Sequence, residues 1–251
     1  MDYPSIFLYL SPSKQRSSIR LIWMDYPSIF EKAMKVFVSW SGGKDSCLAL
    51  YRASRKSLEI KFLFSMLSED GRRSRGHGLS KEVLSAQARA LGIPVVYGKA
   101  SWRDYEEEFK RVVKRLKRLG VEGGVFGDIN LREHKEWVER VCSEIGIEVF
   151  EPLWNEKYER LLNEFLDSGF KAIIVRVRRD LIDEGFVGKA FDNDFIRYLE
   201  SRGLDLCGER GEYHTLVIYG PGFKRRIEIL EGRKIVEGNY LSLEIRKFKL
   251  I

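Results

Sequence analysis

The run Ser39-Trp40-Ser41-Gly42-Gly43-Lys44-Asp45-Ser46 brings hydroxyls, two glycines, a cation and an acid into a segment short enough to wrap one ligand. Those residue types suit a polyanion. Gly42 and Gly43 let the backbone approach phosphate oxygens closely, Lys44 adds a point charge, and Ser41 and Ser46 add hydroxyl donors beside Asp45. Ser39 either touches phosphate or only closes the preceding strand. The flanks strengthen the case. Lys35-Val36-Phe37-Val38 reads as a buried strand and the residues from Cys47 to Ala53 as a helix, so a strand becomes a helix through the motif. The first N–H groups of a helix have no intrahelical partner and lie at its positive end, which makes such a turn an anion site. A glycine-rich turn with an Asp or Ser cap is the plainer account of the same residues. The spacing is not that of a Walker A loop, because Lys44 is followed by Asp45 rather than by Ser or Thr.

A second dense patch is Gly208-Glu209-Arg210-Gly211-Glu212-Tyr213-His214-Thr215. Glu209 and Glu212 could hold an amine, hold Mg²⁺ or move a proton, and the glycines would leave the backbone open to a ligand. A glycine-rich turn carrying surface acids explains the patch equally well. His77 lies in the loop 68–78 and reads either as a site residue or as a solvated loop residue.

The elements that must position these residues alternate strand and helix. At 251 residues, 44% of them hydrophobic, the chain is long and apolar enough for a sizeable core, in one large domain or two small ones. Strands are expected at Lys35–Ser39, Ile60–Leu67, Pro94–Tyr97, Gly123–Ile129 and Glu148–Phe150. Helices are expected after the first loop, from Ser80 to about Leu91, and over Trp102–Leu119 and Glu133–Ile145. That alternation predicts an α/β fold with a mostly parallel, doubly wound sheet, and ligands in such sheets sit beyond the carboxyl ends of the strands. The phosphate loop, the loop 68–78 and the Gly127-Asp128 turn then share one edge.

After Pro152 the texture changes. A helix at Tyr158–Leu166, a strand at Lys171–Val177, a helix at Asp194–Ser201 and a strand at Leu216–Tyr219 are followed by two more stretches. One is a hairpin turning at Glu231-Gly232-Arg233 and the other a last strand at Leu241–Leu250. The expected division is a catalytic domain over 34–152 and a smaller α+β domain over 153–251. Residues 1–33 read as an appendage, because Met-Asp-Tyr-Pro-Ser-Ile-Phe stands at Met1–Phe7 and again at Met24–Phe30.

The net charge of +7 and the pI near 9.2 allow a nucleic acid, a polyanionic ligand or a solvated basic surface. Basic residues are interleaved with acids, as in Glu106-Glu107-Glu108-Phe109-Lys110-Arg111, which favours a nucleotide ligand over nucleic acid. Cys47, Cys142 and Cys207 form no Cys-x-x-Cys pair, so neither a disulfide framework nor a zinc site is readable, and a reducing cytoplasm is expected. The apolar piece Ile6–Leu10 is too short for a membrane span.

Ser41–Ser46 resembles the pyrophosphate loop of the N-type ATP pyrophosphatases, which cleave ATP between its α- and β-phosphates. Three further runs match with it: Val125-Phe126-Gly127-Asp128-Ile129, Gly208–Thr215, and the stretch from Ala86 through Gln87 to Pro94. Together they make the chain resemble the diphthine–ammonia ligase family over roughly Met34 to Tyr219. The resemblance implies a nucleotide-binding α/β domain followed by a smaller one. It also implies the last step of diphthamide synthesis on translation elongation factor 2: ATP adenylates the carboxylate of diphthine, and ammonia displaces AMP. By position, Ser41, Gly42, Gly43, Lys44, Asp45 and Ser46 would bind pyrophosphate, with Lys44 offsetting charge on the leaving group. Asp128 would serve Mg²⁺ or orient nucleotide or ammonia. Gly208, Glu209, Glu212, His214 and Thr215, with His77, would line the acceptor pocket.

No cysteine nucleophile with a His partner is readable, so free ammonia is the coherent donor. Two departures keep another carboxylate acceptor open. Family members tend to carry a Gln-Arg run where this chain has His134-Lys135-Glu136-Trp137, and an aromatic-rich loop where it has Arg72–Gly78. The rival readings are adenylation-dependent tRNA thiolation, which calls for sulfur-handling cysteines, and a non-catalytic ATP-binding sensor. A homo-oligomer is compatible with the sequence.

Overall fold

A computed structural model of the chain describes residues 33–251. The repeated heptapeptide expected to form an appendage lies outside the described residues.

The first half builds a five-stranded sheet. Its strands are β1 (Met34–Ser39), β2 (Leu58–Leu67), β3 (Val95–Lys99), β4 (Gly123–Val125) and β5 (Glu148–Phe150), in the order β3-β2-β1-β4-β5. Every pairing in it is parallel. The connecting helices are α1 (Lys44–Ser54), α2 (Lys81–Leu91), α3 (Tyr105–Arg118) and α4 (Arg132–Ile145). Ser80 caps α2, its hydroxyl accepting from the Val83 N–H, and the helix stops at Gly92 in the left-handed region.

β1 shows why the helices divide between two faces. Side chains alternate along a strand, so Val36 and Val38 face one way and Phe37 the other. The valines join a core with α1 and α2. Phe37 joins a second core with Phe109, Val113 and Leu116 of α3 and Val138 and Val141 of α4. It meets Phe64 and Phe126 edge to face at 5.7 and 5.8 Å.

The second half adds α5 (Tyr158–Asp167), α6 (Asn193–Ser201) and an antiparallel sheet. Its strands are β6 (Lys171–Arg178), β7 (Tyr213–Tyr219), β8 (Ile227–Glu237) and β9 (Tyr240–Leu250), ordered β7-β6-β9-β8. Residues 33–251 form one compact unit. The core under α1 and α2 runs on without a break into Phe165, Ile174, Phe195 and Leu216 of this half.

Two local expectations are corrected. The hairpin does not turn at Glu231-Gly232-Arg233. That stretch lies inside β8, where the pairing slips at Ile229/Glu231 and again at Glu231/Gly232. Gly232 therefore marks a bulge, and the reversal is made by Gly238, at φ 59°, and Asn239. The strand expected at Leu216 starts earlier, at Tyr213, so Tyr213-His214-Thr215 of the second motif belong to β7.

The strand order reverses between β1 and β4, and the phosphate loop and the Gly127-Asp128 turn leave the sheet at those two strands. That crevice is where open α/β sheets hold ligands. Phe37→Ala should cost about 3–5 kcal/mol, the range for emptying a buried aromatic site, read as a lower midpoint in denaturant unfolding.

Candidate active site

The phosphate loop is set by backbone geometry that its own residues cannot hold alone. Gly42 has φ 79°, and a Cβ there would collide with the Gln87 amide. Gly43 has room for no side chain either, because the His77 ring occupies that space. Within the loop the Gly43 N–H donates to Ser41 Oγ at 3.3 Å, and Ser46 Oγ donates to the Gly43 carbonyl at 3.1 Å.

The remaining bonds come from far along the chain. Gln87 on α2 is fully buried. Its amide donates to the carbonyls of Gly42 at 2.9 Å and Val217 at 2.8 Å, and its oxygen accepts from the Trp40 indole at 3.1 Å. The Val217 N–H donates to the Gly42 carbonyl at 3.0 Å. Thr215 Oγ1 accepts the Lys44 N–H at 3.0 Å. It thereby caps α1, whose N-cap, Gly43, has no side chain to do so. In the sequence Gln87 stands out only within the Ala86–Pro94 run. Its position on the buried face of an amphipathic helix was the available signal.

Lys44 is 4% exposed. Its ammonium pairs with Asp45 at 2.9 Å, donates to the Cys207 carbonyl and lies 5.1 Å from the centre of the Tyr213 ring. Burial pulls its pKa down more than any one neighbour raises it, but Asp45, Tyr213 and Cys207 together outweigh burial and leave it well above the ordinary lysine value, so the charge persists.

One cavity brings together Lys44, Asp45, His77, Asp128, His134, Cys207, Gly208, Glu209, Tyr213, His214 and Thr215. Most of the expected site residues therefore meet. Ser39 and Ser41 line the adjoining hollow between the ends of β1 and β2, with Phe64–Met66 and Ser74–His77. Glu209 faces the first cavity, and its Oε2 accepts the N–H groups of Ile129 at 3.3 Å and Asn130 at 3.2 Å. Burial, and then the charge of Asp45, raise its pKa. Glu212 is 7% exposed and its carboxylate accepts from the Arg210 N–H at 3.1 Å; it lines none of the cavities around the loop. The geometry gives it a part in holding the turn.

His77 and His214 stack with ring centres 4.5 Å apart. His77 Nδ1 lies 3.1 Å from the Thr215 carbonyl, which can only accept, so Nδ1 carries the proton and Nε2 is the free base. Burial lowers the His77 pKa to about 4, despite the favourable Thr215 contact, and lowers that of His214 well below normal. Both rings are neutral at pH 7. His134 was missed as a site residue. Its Nδ1 lies 3.1 Å from Asp128 Oδ1, and that contact raises its pKa.

Among the described residues no group of three or more His, Cys, Asp or Glu is arranged to hold a metal on its own. Mg²⁺ is usually carried by one or two carboxylates together with substrate phosphates, and Asp45 and Asp128 in the same cavity as Lys44 suit that division. All three cysteines are free and buried. Burial pushes the Cys142 thiol up to about 12 and raises those of Cys47 and Cys207 as well, so none is a thiolate at neutral pH.

Gln87→Leu should leave the Val217 carbonyl and the Trp40 indole unpaired, at about 1–3 kcal/mol for each group. Urea unfolding would measure that loss, and it should be accompanied by weaker ATP binding as the loop relaxes. The histidines set an acid limit. An unfolded His77 takes its proton near pH 6.5 and the folded one only near 4, so its contribution is complete above 6.5 and is lost as pH falls toward 4. Unfolding free energy followed from pH 7 to 4 should drop, and His77→Gln should flatten the drop.

The described chain matches two family models in succession. "Diphthamide synthase N-terminal domain" covers residues 34–149, and "Diphthamide synthase C-terminal domain" covers residues 157–251. The diphthine–ammonia ligase of Schizosaccharomyces pombe is 30% identical over 230 residues, which are 81% of this chain but 37% of that protein. The chain thus spans little more than a third of that relative. The human diphthine–ammonia ligase is 25% identical over 232 residues, 81% of this chain and 85% of the human one. A solved structure described as a predicted subunit of tRNA methyltransferase from Methanocaldococcus jannaschii is similar at 16% identity. It covers 75% of this chain and 98% of its own, with a TM-score of 0.41. Two consecutive models spanning the sheet with its phosphate loop and the strand that clamps it, and relatives that are ligases by name, lead to one conclusion: the chain belongs to the diphthine–ammonia ligase family.

Proposed function

We propose that the chain is an AMP-forming ligase that amidates a carboxylate with free ammonia, the acceptor being diphthine on translation elongation factor 2. The observation that carries this reading is the meeting of a buried, charged Lys44 on a phosphate loop with two neutral histidines and a desolvated glutamate in one cavity. On this reading ATP places its β- and γ-phosphates over Ser41–Ser46, at the positive end of α1. Phosphate oxygens replace Ser41 Oγ and Thr215 Oγ1 as acceptors for the loop N–H groups. The base takes the hollow between the ends of β1 and β2, beside Ser39.

The acceptor carboxylate attacks the α-phosphorus and pyrophosphate leaves. Lys44 turns from the Cys207 carbonyl toward the departing oxygens, where its charge is worth most. Ammonia then attacks the acyl carbon of the adenylate, AMP leaves, and the new nitrogen must lose a proton. His77, which lines the cavity and whose Nε2 is unprotonated, would take it. Mg²⁺, held by Asp45 and Asp128 beside phosphate oxygens, would neutralise part of the triphosphate charge when bound.

The buried neutral thiols support ammonia over sulfur chemistry, since sulfur transfer and glutamine hydrolysis both need a reactive thiolate. Among the described residues no helix is long and apolar enough to cross a membrane, which fits a cytoplasmic enzyme acting on a translation factor.

Incubation with ATP, Mg²⁺, ammonium and diphthine-bearing elongation factor 2 should yield AMP, pyrophosphate and a peptide mass changed from carboxylate to amide. AMP with no mass change would point to another carboxylate. No AMP from protein that binds ATP would defeat the ligase reading. Lys44→Ala should lower turnover about 10²–10³-fold, the usual cost of removing one such charge-stabilising donor.

A further inference from the structure

Two segments far apart in the chain meet at the cleft: the run 126–131 between β4 and α4, and the turn 205–209 between α6 and β7. Hydrogen bonds join them in a closed circuit. The Glu209 carboxylate accepts the N–H groups of Ile129 and Asn130. The Asn130 side-chain amide donates to the hydroxyl of Tyr158, the first residue of α5. That hydroxyl donates to Asp205 Oδ2 at 3.3 Å. Asp205 Oδ1 accepts the N–H groups of Cys207 at 2.8 Å and Gly208 at 3.0 Å, which leads back to Glu209.

Tyr158 belongs to neither segment, and one atom of it ties the two together. A phenol has a single proton to donate and lone pairs to accept with, and Tyr158 uses both functions. Burial first, then the charges of Asp205 and Glu209, raise its pKa, so the proton stays in place. Tyr158 lines none of the cavities around the phosphate loop, whereas Glu209 and Cys207 line the one that holds Lys44. The Cys207 carbonyl accepts directly from the Lys44 ammonium.

We propose that Tyr158 is a positioning residue for the reaction in this cleft: by tying the turn 205–209 to the run 126–131 it sets Glu209 against the phosphate loop. What Glu209 does once placed rests on the amidation reading above; the placing rests on the hydrogen-bond circuit alone. Without the hydroxyl, the Asn130 amide and one oxygen of Asp205 lose their partner, and the two segments loosen together. The phosphate loop is affected less, because its bonds come from Gln87, Thr215 and Val217. Turnover therefore falls while ATP is still held.

The test compares the full chain with Tyr158→Phe, which keeps the aromatic ring and removes only the hydroxyl. Amide hydrogen exchange should quicken in peptides covering 126–131 and 205–209 together, and stay unchanged over 41–46. ATP affinity by calorimetry should stay within about twofold while kcat for AMP formation falls about tenfold. Asn130→Ala, which removes the other half of the link, should reproduce both results. Combined with Glu209→Gln, Tyr158→Phe should cost less than the product of the two separate losses, because it acts through Glu209. Exchange unchanged in either segment overturns the proposal, as do fully multiplicative losses or an equal fall in ATP affinity. A lower thermal midpoint with turnover intact makes Tyr158 a structural residue only and also overturns it. Wild-type protein that forms no AMP, with exchange quickened in both segments of the variant, defeats the amidation reading alone. AMP formation that Tyr158→Phe leaves unchanged defeats this inference alone.

Discussion

The clamp that β7 places on the phosphate loop is the constraint on which the rest of the site depends. A loop rich in glycine can approach phosphate only because it has no side chains, and for the same reason it has little of its own to hold its shape. The missing bonds arrive from Thr215, Val217 and Gln87, distant in sequence and buried. Backbone groups taken out of water must be paired, so the loop is ordered only when the second sheet is seated against the first. The continuous core beneath α1, α2 and the second half of the chain seats it there.

Burial then assigns the charges. Lys44 keeps its proton because Asp45 is beside it, whereas His77 and His214, buried near that same positive charge and Arg176, give theirs up. The low polarizability of the surroundings thus sorts a fixed cation from two neutral bases within one cavity. The cysteines follow the same rule and remain thiols. The proposed amidation would use both results, since it needs charge offset at a leaving pyrophosphate and a base that stays unprotonated at neutral pH.

The outer wall differs in character. Around the loop the cleft is polar and closely bonded; beyond Asp128 and His134 it becomes aromatic and half open, with α3 and α4 supplying the rings.

Periodicity and loop chemistry were enough to reveal the parallel sheet, its helices and the anion loop, because strand alternation, helix caps and glycine spacing are local properties. They were also enough to collect Ser41–Ser46, the loop 68–78 and Asp128 on one edge, since the carboxyl ends of parallel strands lie together by topology. Where the same local signals had two meanings, only the fold chose between them. Gly232 read as a turn and became a bulge, because a glycine relaxes a strand as readily as it reverses one. Glu209 and Glu212 looked equivalent three residues apart, yet one faces the cavity and the other turns back onto the Arg210 N–H. The contacts of Gln87 and His134 lay beyond the reach of the sequence. Each depends on a partner or a cavity brought near by packing, and long-range contacts leave no spacing in the chain to be read.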